Sequence, residues 1–428
     1  MWKAIASNAL TLMIVALVAL AGLLAWGRQV YQQPGPLAAA ICFKVDKGAT
    51  ISVVSRSLVD QGAISDARIF RIGADYTDRS GALKFGSYLV PAESSMADIV
   101  GIVTAGGQSS CGREINFRIG VTSADVVLRE LDPATNRYTE VVSFDPAAEA
   151  LPQVYVDAVQ GADIRFRVTL AEGVTSWQVV DQLKRADFMA GTVDPVPPEG
   201  SLSPDSYEIE KGGDRAGLIA EMTGRQTAVL ADLWAARADG LPYKDQAEAL
   251  VMASIVEKET GKADERPQVA SVFLNRLAKG MKLQTDPAVI YGVTKGKGLL
   301  GRGLRQSELK KDTPWNTYVH TGLPPTPIAN PGRASIEAAL NPAVTEYLFF
   351  VADGTGGHVF AATYEEHARN VAKWRAIEAQ QGQAQTDGTG DAGGATGTGT
   401  DGTGGTDGTA VPTVDTQGFD GLTDGAGN

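Results

Sequence analysis

Residues Ala9 to Trp26 carry no charge and are almost wholly apolar, a run long enough at the helical rise to cross a bilayer once. A cleaved signal peptide is the rival reading, with LAAAIC at 37–42 as its processing site; the apolar run is longer than a usual h-region, which favours an uncleaved anchor. Ile41 before Cys42 argues against a lipoprotein signal. Beyond the anchor, FKVDKGATISVVSRSL at 43–58 and FRVTLAEGVTSWQVVDQL at 166–183 share one pattern: a short strand, a turn at Gly48 or Gly173, then a helix from about Thr50 or Thr175. LKFGSYLVP at 83–91 and SLSPDSYEI at 201–209 are also alike, with Tyr88 and Tyr207 in similar settings, so a strand–helix–strand unit is used twice. Between the two, FRIGVTSADVVLREL and NRYTEVVSFDP read as strands with turns at Asp132-Pro133 and Asp145-Pro146.

From Lys244 to Thr260 the spacing becomes helical and apolar nearly all round, which predicts a buried helix. Leu250, Ala253 and Ser254 share a side with Glu257; Met252, Ile255 and Val256 share a side with Glu259. Two carboxyls thus sit on opposite sides of one buried helix. Burial disfavours the charged form, raises the pKa and keeps a proton available near neutral pH, as a general acid requires. The structural alternative is that Lys258, Lys262, Arg266 or Arg276 neutralises each acid, or that water reaches it at the helix end near Gly261.

A second helix, Asp264 to Lys279, takes Asp264 as its N-cap and Gly280 as its stop, with Val269, Val272, Phe273 and Leu277 facing the first. Gln284 and Asp286 then fall in a turn, where Gln284 offers an amide and Asp286 a carboxylate to a polar ligand; an Asx turn with Gln284 on the surface is the plain alternative. Asn316 and Tyr318 in WNTY combine an amide with an aromatic face, both suited to sugars, and Tyr291 adds another ring. Trp315 fits either a sugar platform or a core gap. The prolines of GLPPTPIANPG at 322–332 exclude a helix interior or central strand and predict a rigid wall. EYLFFVAD and VFAAT form a hairpin through Gly354, Gly356 and Gly357. His320, His358 and His367 lack metal-ligand spacing, so no metal is expected.

Composition changes the picture mainly at the ends. The 428 residues carry a net charge of −12, and seven aspartates in the Gly/Thr/Asp tail from 379 supply more than half of it, so the acidity says little about substrate. That tail cannot form a core and reads as disordered. No Lys/Arg stripe interleaved with aromatics points to nucleic acid. Cys42 and Cys111 bracket the first soluble module and are either its disulfide staple or two unrelated thiols.

MASIVEKETGKADERPQVASVFLNRLAKGMKLQTDP at 252–287, followed by LQTDPAVIYGV, WNTYVHTGLPPTPIANPG and LNPAVTEYLFFVADGTGGHVF in the same order, resembles the MltG/YceG family of endolytic murein transglycosylases. The likeness runs over roughly Phe43 to Ala372. It implies an inner-membrane enzyme that cuts peptidoglycan glycan strands at the MurNAc-GlcNAc bond with 1,6-anhydro ring formation, without a cofactor, and with peptidoglycan synthases as candidate partners. The position matching the family's catalytic acid is Glu257, with Glu259 as fallback. The first unit resembles the family's LysM-like module, a fold associated with glycan binding. In PEGSLSPDSYEI, Glu199, Asp205 and Tyr207 match the family segment, whereas Ser201, Ser203 and Ser206 depart from it.

The expected architecture is α+β: an anchor at 1–30, a LysM-like module at 40–111, a β-rich insertion at 112–164, a mainly helical YceG-like catalytic domain at 165–378 and the tail, with the body in the periplasm of a Gram-negative cell. A muramidase, or a tethered glycan-binding scaffold without catalysis, is the alternative.

Overall fold

A computed structural model of the chain describes residues 2–106, 109–148, 150–161 and 164–387; nearly all of the acidic tail lies outside them. The fold mixes α and β and divides into two compact units, one of Met1–Arg118, Ala124–Val168 and Tyr207–Gly212, the other of Ile119–Ser123, Thr169–Ser206 and Gly213–Asn428.

Helix α1 (Trp2–Gln32) opens the first unit. Its segment Leu10–Gln32 has a mean hydropathy of 2.4 and no buried part, so by length and composition it could span a membrane. Strand β1 (Ile41–Val45), helices α2 (Ile51–Asp60) and α3 (Ala67–Tyr76), and strand β2 (Gly86–Val90) follow. β1 pairs antiparallel with β2, setting Phe43 opposite Tyr88. The sequence pattern foresaw one helix here. The second, α3, arises because Asp66 accepts the N–H groups of Arg68 and Ile69, satisfying donors that would otherwise be orphaned. Phe43, Leu58, Phe70, Tyr88 and Ile99 fill the core. Helix α4 (Met96–Thr104) is opened by a Ser95–Asp98 capping box. Cys42 and Cys111 form a disulfide closing a sequence separation of 69, a constraint on the unfolded chain of about 4 kcal/mol in the chain-entropy treatment.

Strands β3 (Arg113–Ile119), β4 (Ala124–Asp132) and β5 (Arg137–Phe144) lie where alternation put them, with Asp132 and Asp145 accepting the N–H of Ala134 and Ala147 in their turns. Helix α5 (Gln153–Val159) precedes β6 (Arg165–Leu170), and β7 (Ser206–Ile209) completes a sheet of order β5-β4-β3-β6-β7. The sequence pattern places β6 and β7 in a separate repeat after residue 164, whereas in the structure they extend the sheet of β3 to β5. Glu114 on β3 helps explain the difference: only 1% exposed, it is compensated by Arg129 of β4 and by Arg167 of β6, 3.3 Å away. A carboxylate buried this way needs its cations beside it, which favours β6 next to β3.

The second unit is mainly helical. It contains α6 (Ser176–Leu183), α7 (Arg215–Ala235), α8 (Gln246–Glu259), α9 (Arg266–Ala278), α10 (Asp286–Thr294), the short α11 (Gln306–Leu309) and α12 (Arg333–Leu340). The hairpin β8 (Phe349–Ala352) and β9 (His358–Ala361) and helix α13 (Tyr364–Asp387) follow. α8 is central, packing on α7, α9, α10 and α12. Asp245 caps it by accepting the Glu248 N–H. Val251, Met252, Ile255 and Val256 are buried, each stabilising the fold by roughly 1.5–3 kcal/mol.

Two local expectations change. α9 begins at Arg266 rather than being capped by Asp264: Pro267 sits in its first turn, and the Glu265 carboxyl is taken by the backbone N–H and imidazole of His358. Asp286 lies in the first turn of α10 rather than in a free turn, because Pro287 is preorganised for a helix start.

Candidate active site

The last turn of α8 carries Glu257, Lys258 and Glu259, each half-buried. Glu257 Oε2 accepts the Gly332 N–H at 3.0 Å, and Gly332 is the N-cap residue of α12. The proline-rich segment is therefore a wall beside Glu257, as expected. It is fixed at two points: Ser254 on α8 accepts the Ile328 N–H at 3.0 Å, and the fully buried Asn330 ties the wall to the turn that precedes α6. Asn330 donates its amide to the Val174 carbonyl and accepts the Leu202 N–H, while its own carbonyl accepts the Gly173 N–H, each at 2.9 Å.

This turn supplies residues that helix periodicity alone had not marked. Gly173 has φ +78 and packs against the stems of Glu257 and Lys258. Lys258 Nζ donates to the Gly173 carbonyl at 3.3 Å; burial lowers its pKa, while the charges of Glu257 and Glu199 oppose that. Glu172, just before the turn, presses on Gly332 so closely that a Cβ there would lie 1.8 Å from Oε1. Its Oε2 is 3.5 Å from Arg266 Nη2. Burial and the charge of Glu257 raise the Glu172 pKa, and Arg266 counters them. The available signal was an acid directly before the turn glycine, where the first repeat has Lys47.

Glu199, singled out by its segment, lies on the same network. Its Oε1 accepts the Ser176 N–H at 2.8 Å and its Oε2 the Tyr291 hydroxyl at 3.1 Å, and burial raises its pKa. Tyr291 therefore joins the Glu257 surroundings through Glu199 and Lys258. Trp315 packs beside the Tyr291 ring at 5.6 Å, donates its indole N–H to Thr326, and carries the Lys295 ammonium over its face at 3.8 Å.

The opposite side of α8 holds a second group. Glu259 has a pKa raised to about 7, by burial first and then by Asp286; Arg276 and the Thr285 hydroxyl oppose the rise, although that hydroxyl makes no aligned hydrogen bond. Burial raises Asp286 too, and its Oδ1 accepts the Tyr318 hydroxyl at 2.7 Å. Gln284 is half-buried with φ +51, a left-handed backbone that is uncommon outside glycine and asparagine, and its N–H donates to the Thr317 carbonyl. Asn316, expected to contact sugar, is instead fully buried: its amide donates to the carbonyls of Glu308, Leu309 and Lys311, and its oxygen accepts the Tyr318 N–H. The candidates thus fall into two groups, Tyr291 with Glu257 and Asp286, Tyr318 and Gln284 with Glu259. Among the described residues, no group of three or more His, Cys, Asp or Glu side chains could hold a metal ion.

Glu259 makes stability depend on pH. Its folded pKa of about 7 lies above the ordinary carboxyl value of 4.5, so the folded state binds more protons between those values. The resulting stabilisation is full below about pH 4.5 and is lost as pH rises through about 7. Glu259→Gln is expected to flatten the melting midpoint of the second unit between pH 5 and 8 and to raise stability at pH 8 by about 2–3 kcal/mol. Thermal melts across that range check it; an unchanged slope counts against a buried, proton-holding Glu259.

Residues 43–373 match the YceG-like family. The chain is 47% identical over 131 residues to an endolytic murein transglycosylase of Bacillus subtilis, covering 31% of this chain and 35% of that protein. It is 27% identical over 344 residues to an endolytic murein transglycosylase of Streptococcus pneumoniae, covering 77% of this chain and 57% of that protein. The matches thus span well under two thirds of either relative. A solved yceG-like protein of Listeria monocytogenes is 26% identical, with 77% of this chain and 98% of that chain covered and a TM-score of 0.42.

Proposed function

The chain belongs to the YceG-like family, and on that footing we propose that it is an endolytic murein transglycosylase, with Glu257 as the acid that cuts the MurNAc-GlcNAc bond inside a glycan strand. The observation that carries this reading is the setting of Glu257: half-buried at the end of a buried helix, with one carboxyl oxygen held by the Gly332 N–H. With Oε2 occupied by that N–H, Oε1 is the oxygen left to deliver a proton to the leaving oxygen. As the C1–O4 bond breaks, that proton moves to O4, and the carboxylate left behind faces the N-terminus of α12, where negative charge is favoured. The C6 hydroxyl of the same muramic ring then bonds to C1 and returns its proton to Glu257. No water is consumed.

Gln284 is proposed to reach an N-acetyl group, and Tyr291, Asp286 and Tyr318 to shape the sugar sites; Asn316 acts by holding their loop. The β1–α2–α3–β2 module supports a LysM-like, glycan-binding reading of residues 40–111. Leu10–Gln32 is proposed as a single-pass inner-membrane anchor with the body in the periplasm, within reach of peptidoglycan synthases.

One observation favours a second reading, a muramidase. Glu172 and Glu257 both meet Gly332, which puts their carboxyl oxygens at most roughly 7–8 Å apart by backbone dimensions, and ordinary glycosidases use carboxyl pairs about 5–10 Å apart. Digestion of purified glycan strands in heavy-oxygen water separates the two. Unlabelled 1,6-anhydro ends arising within strands are expected. Heavy oxygen at new reducing ends assigns the chain to the hydrolases.

A further inference from the structure

We infer that Glu172 is a positioning residue for the reaction at Glu257, a second carboxyl with which Glu257 holds the proton destined for the leaving oxygen. The inference rests on the transglycosylase reading and adds a residue to it. Three independent contacts support it. Gly332 gives its N–H to Glu257 and leaves room at its Cα only for the Glu172 carboxyl. Gly173, next to Glu172, packs on the Glu257 stem, with a Cβ there meeting Glu257 Cγ at 3.7 Å. Arg266 takes Glu172 from its other oxygen and so fixes its direction.

The charged groups around this pair are Arg266 on α9, Lys258 on α8 and, beyond Lys258, Glu199. Lys258 turns its ammonium to the Gly173 carbonyl, and Arg266 is the cation that meets Glu172 directly. Burial and the charge of Glu257 both oppose ionisation of Glu172. A proton therefore stays on Glu172 to higher pH than on a lone surface carboxyl. During cleavage, Glu257 passes its own proton to O4 and recovers one from the C6 hydroxyl; Glu172 ends each turnover unchanged. The half-exposed Glu172 side chain, 43% accessible, can play this part without being needed for the core.

The test is steady-state cleavage of glycan strands across pH by the wild-type chain, Glu172→Gln, Glu172→Asp and Gly332→Ala. Glu172→Gln keeps the shape and removes the charge, so kcat is expected to fall about 10-fold or more above neutral pH, KM to stay within about twofold, and the alkaline limb of the profile to move down by about one pH unit. Glu172→Asp should restore part of the shift. Gly332→Ala pushes the Glu172 carboxyl aside without altering its charge and should move the same limb. An unchanged limb in Glu172→Gln overturns the inference, as does a rise in KM alone or a uniform loss of activity that follows a lowered melting point. Should Glu172→Gln fail to fold, Gly332→Ala decides by the same limb. Wild-type chain that makes no anhydro ends overturns the transglycosylase reading instead, so the two failures are distinguishable.

Discussion

Glu257→Gln should lower glycan cleavage by about a thousandfold while leaving the chain folded and able to bind glycan. Glutamine keeps the side-chain length and an oxygen for the Gly332 N–H, so the contact between α8 and the start of α12 survives. It has no acidic proton. The leaving oxygen must then depart unprotonated, and removal of a positioned general acid typically costs two to four powers of ten. The stability cost should be small, since Glu257 is half-buried and the buried part of the helix, Val251 to Val256, is untouched. Cleavage rates, glycan pull-down and a thermal melt of the same preparation check the three parts. Full activity in Glu257→Gln together with its loss in Glu259→Gln would transfer the role to the other side of the helix.

Asn316→Ala is expected to cost about 2–4 kcal/mol of stability in the second unit, with only a modest rise in the KM of the surviving folded enzyme. The side chain is fully buried and makes four hydrogen bonds within its own loop: three carbonyls receive its amide, and the Tyr318 N–H meets its oxygen. Alanine leaves those groups partly unsatisfied and opens a small void. Tyr318 is held through the same bonds and in turn donates to Asp286, so the loosened loop accounts for the modest rise in KM. Denaturant unfolding measures the first effect and steady-state kinetics the second. A large rise in KM at unchanged stability would return Asn316 to direct sugar contact.

Much of the local structure was legible in the sequence. The apolar surround of Lys244 to Thr260 put α8 in the core, and the paired strand–glycine–helix patterns at Gly48 and Gly173 correspond to β1–α2 and β6–α6. The prolines of 322–332 marked a wall, and Gly354 to Gly357 marked the hairpin turn. These are consequences of spacing and φ preference within a few residues, and neighbours in sequence settle them. Asp264 failed as a cap and Asp286 as a turn residue because a proline in each following helical turn fixed where the helix starts.

Helix periodicity alone determined that Glu257 and Glu259 leave α8 on different sides, and the ordered motifs made Glu257 the candidate acid. It could not say what packs against each side. Tertiary structure decided that Glu257 meets Gly332 with Glu172 alongside, that the charge of Asp286 adds to burial in raising the Glu259 pKa, and that Asn316 turns inward to its own loop. Those partners come from segments far apart in the chain, brought together by burial of α8 against α12, α9 and α10. A helical repeat fixes the direction of a side chain, whereas the proton affinity of an acid depends on the charges and solvent it finds there.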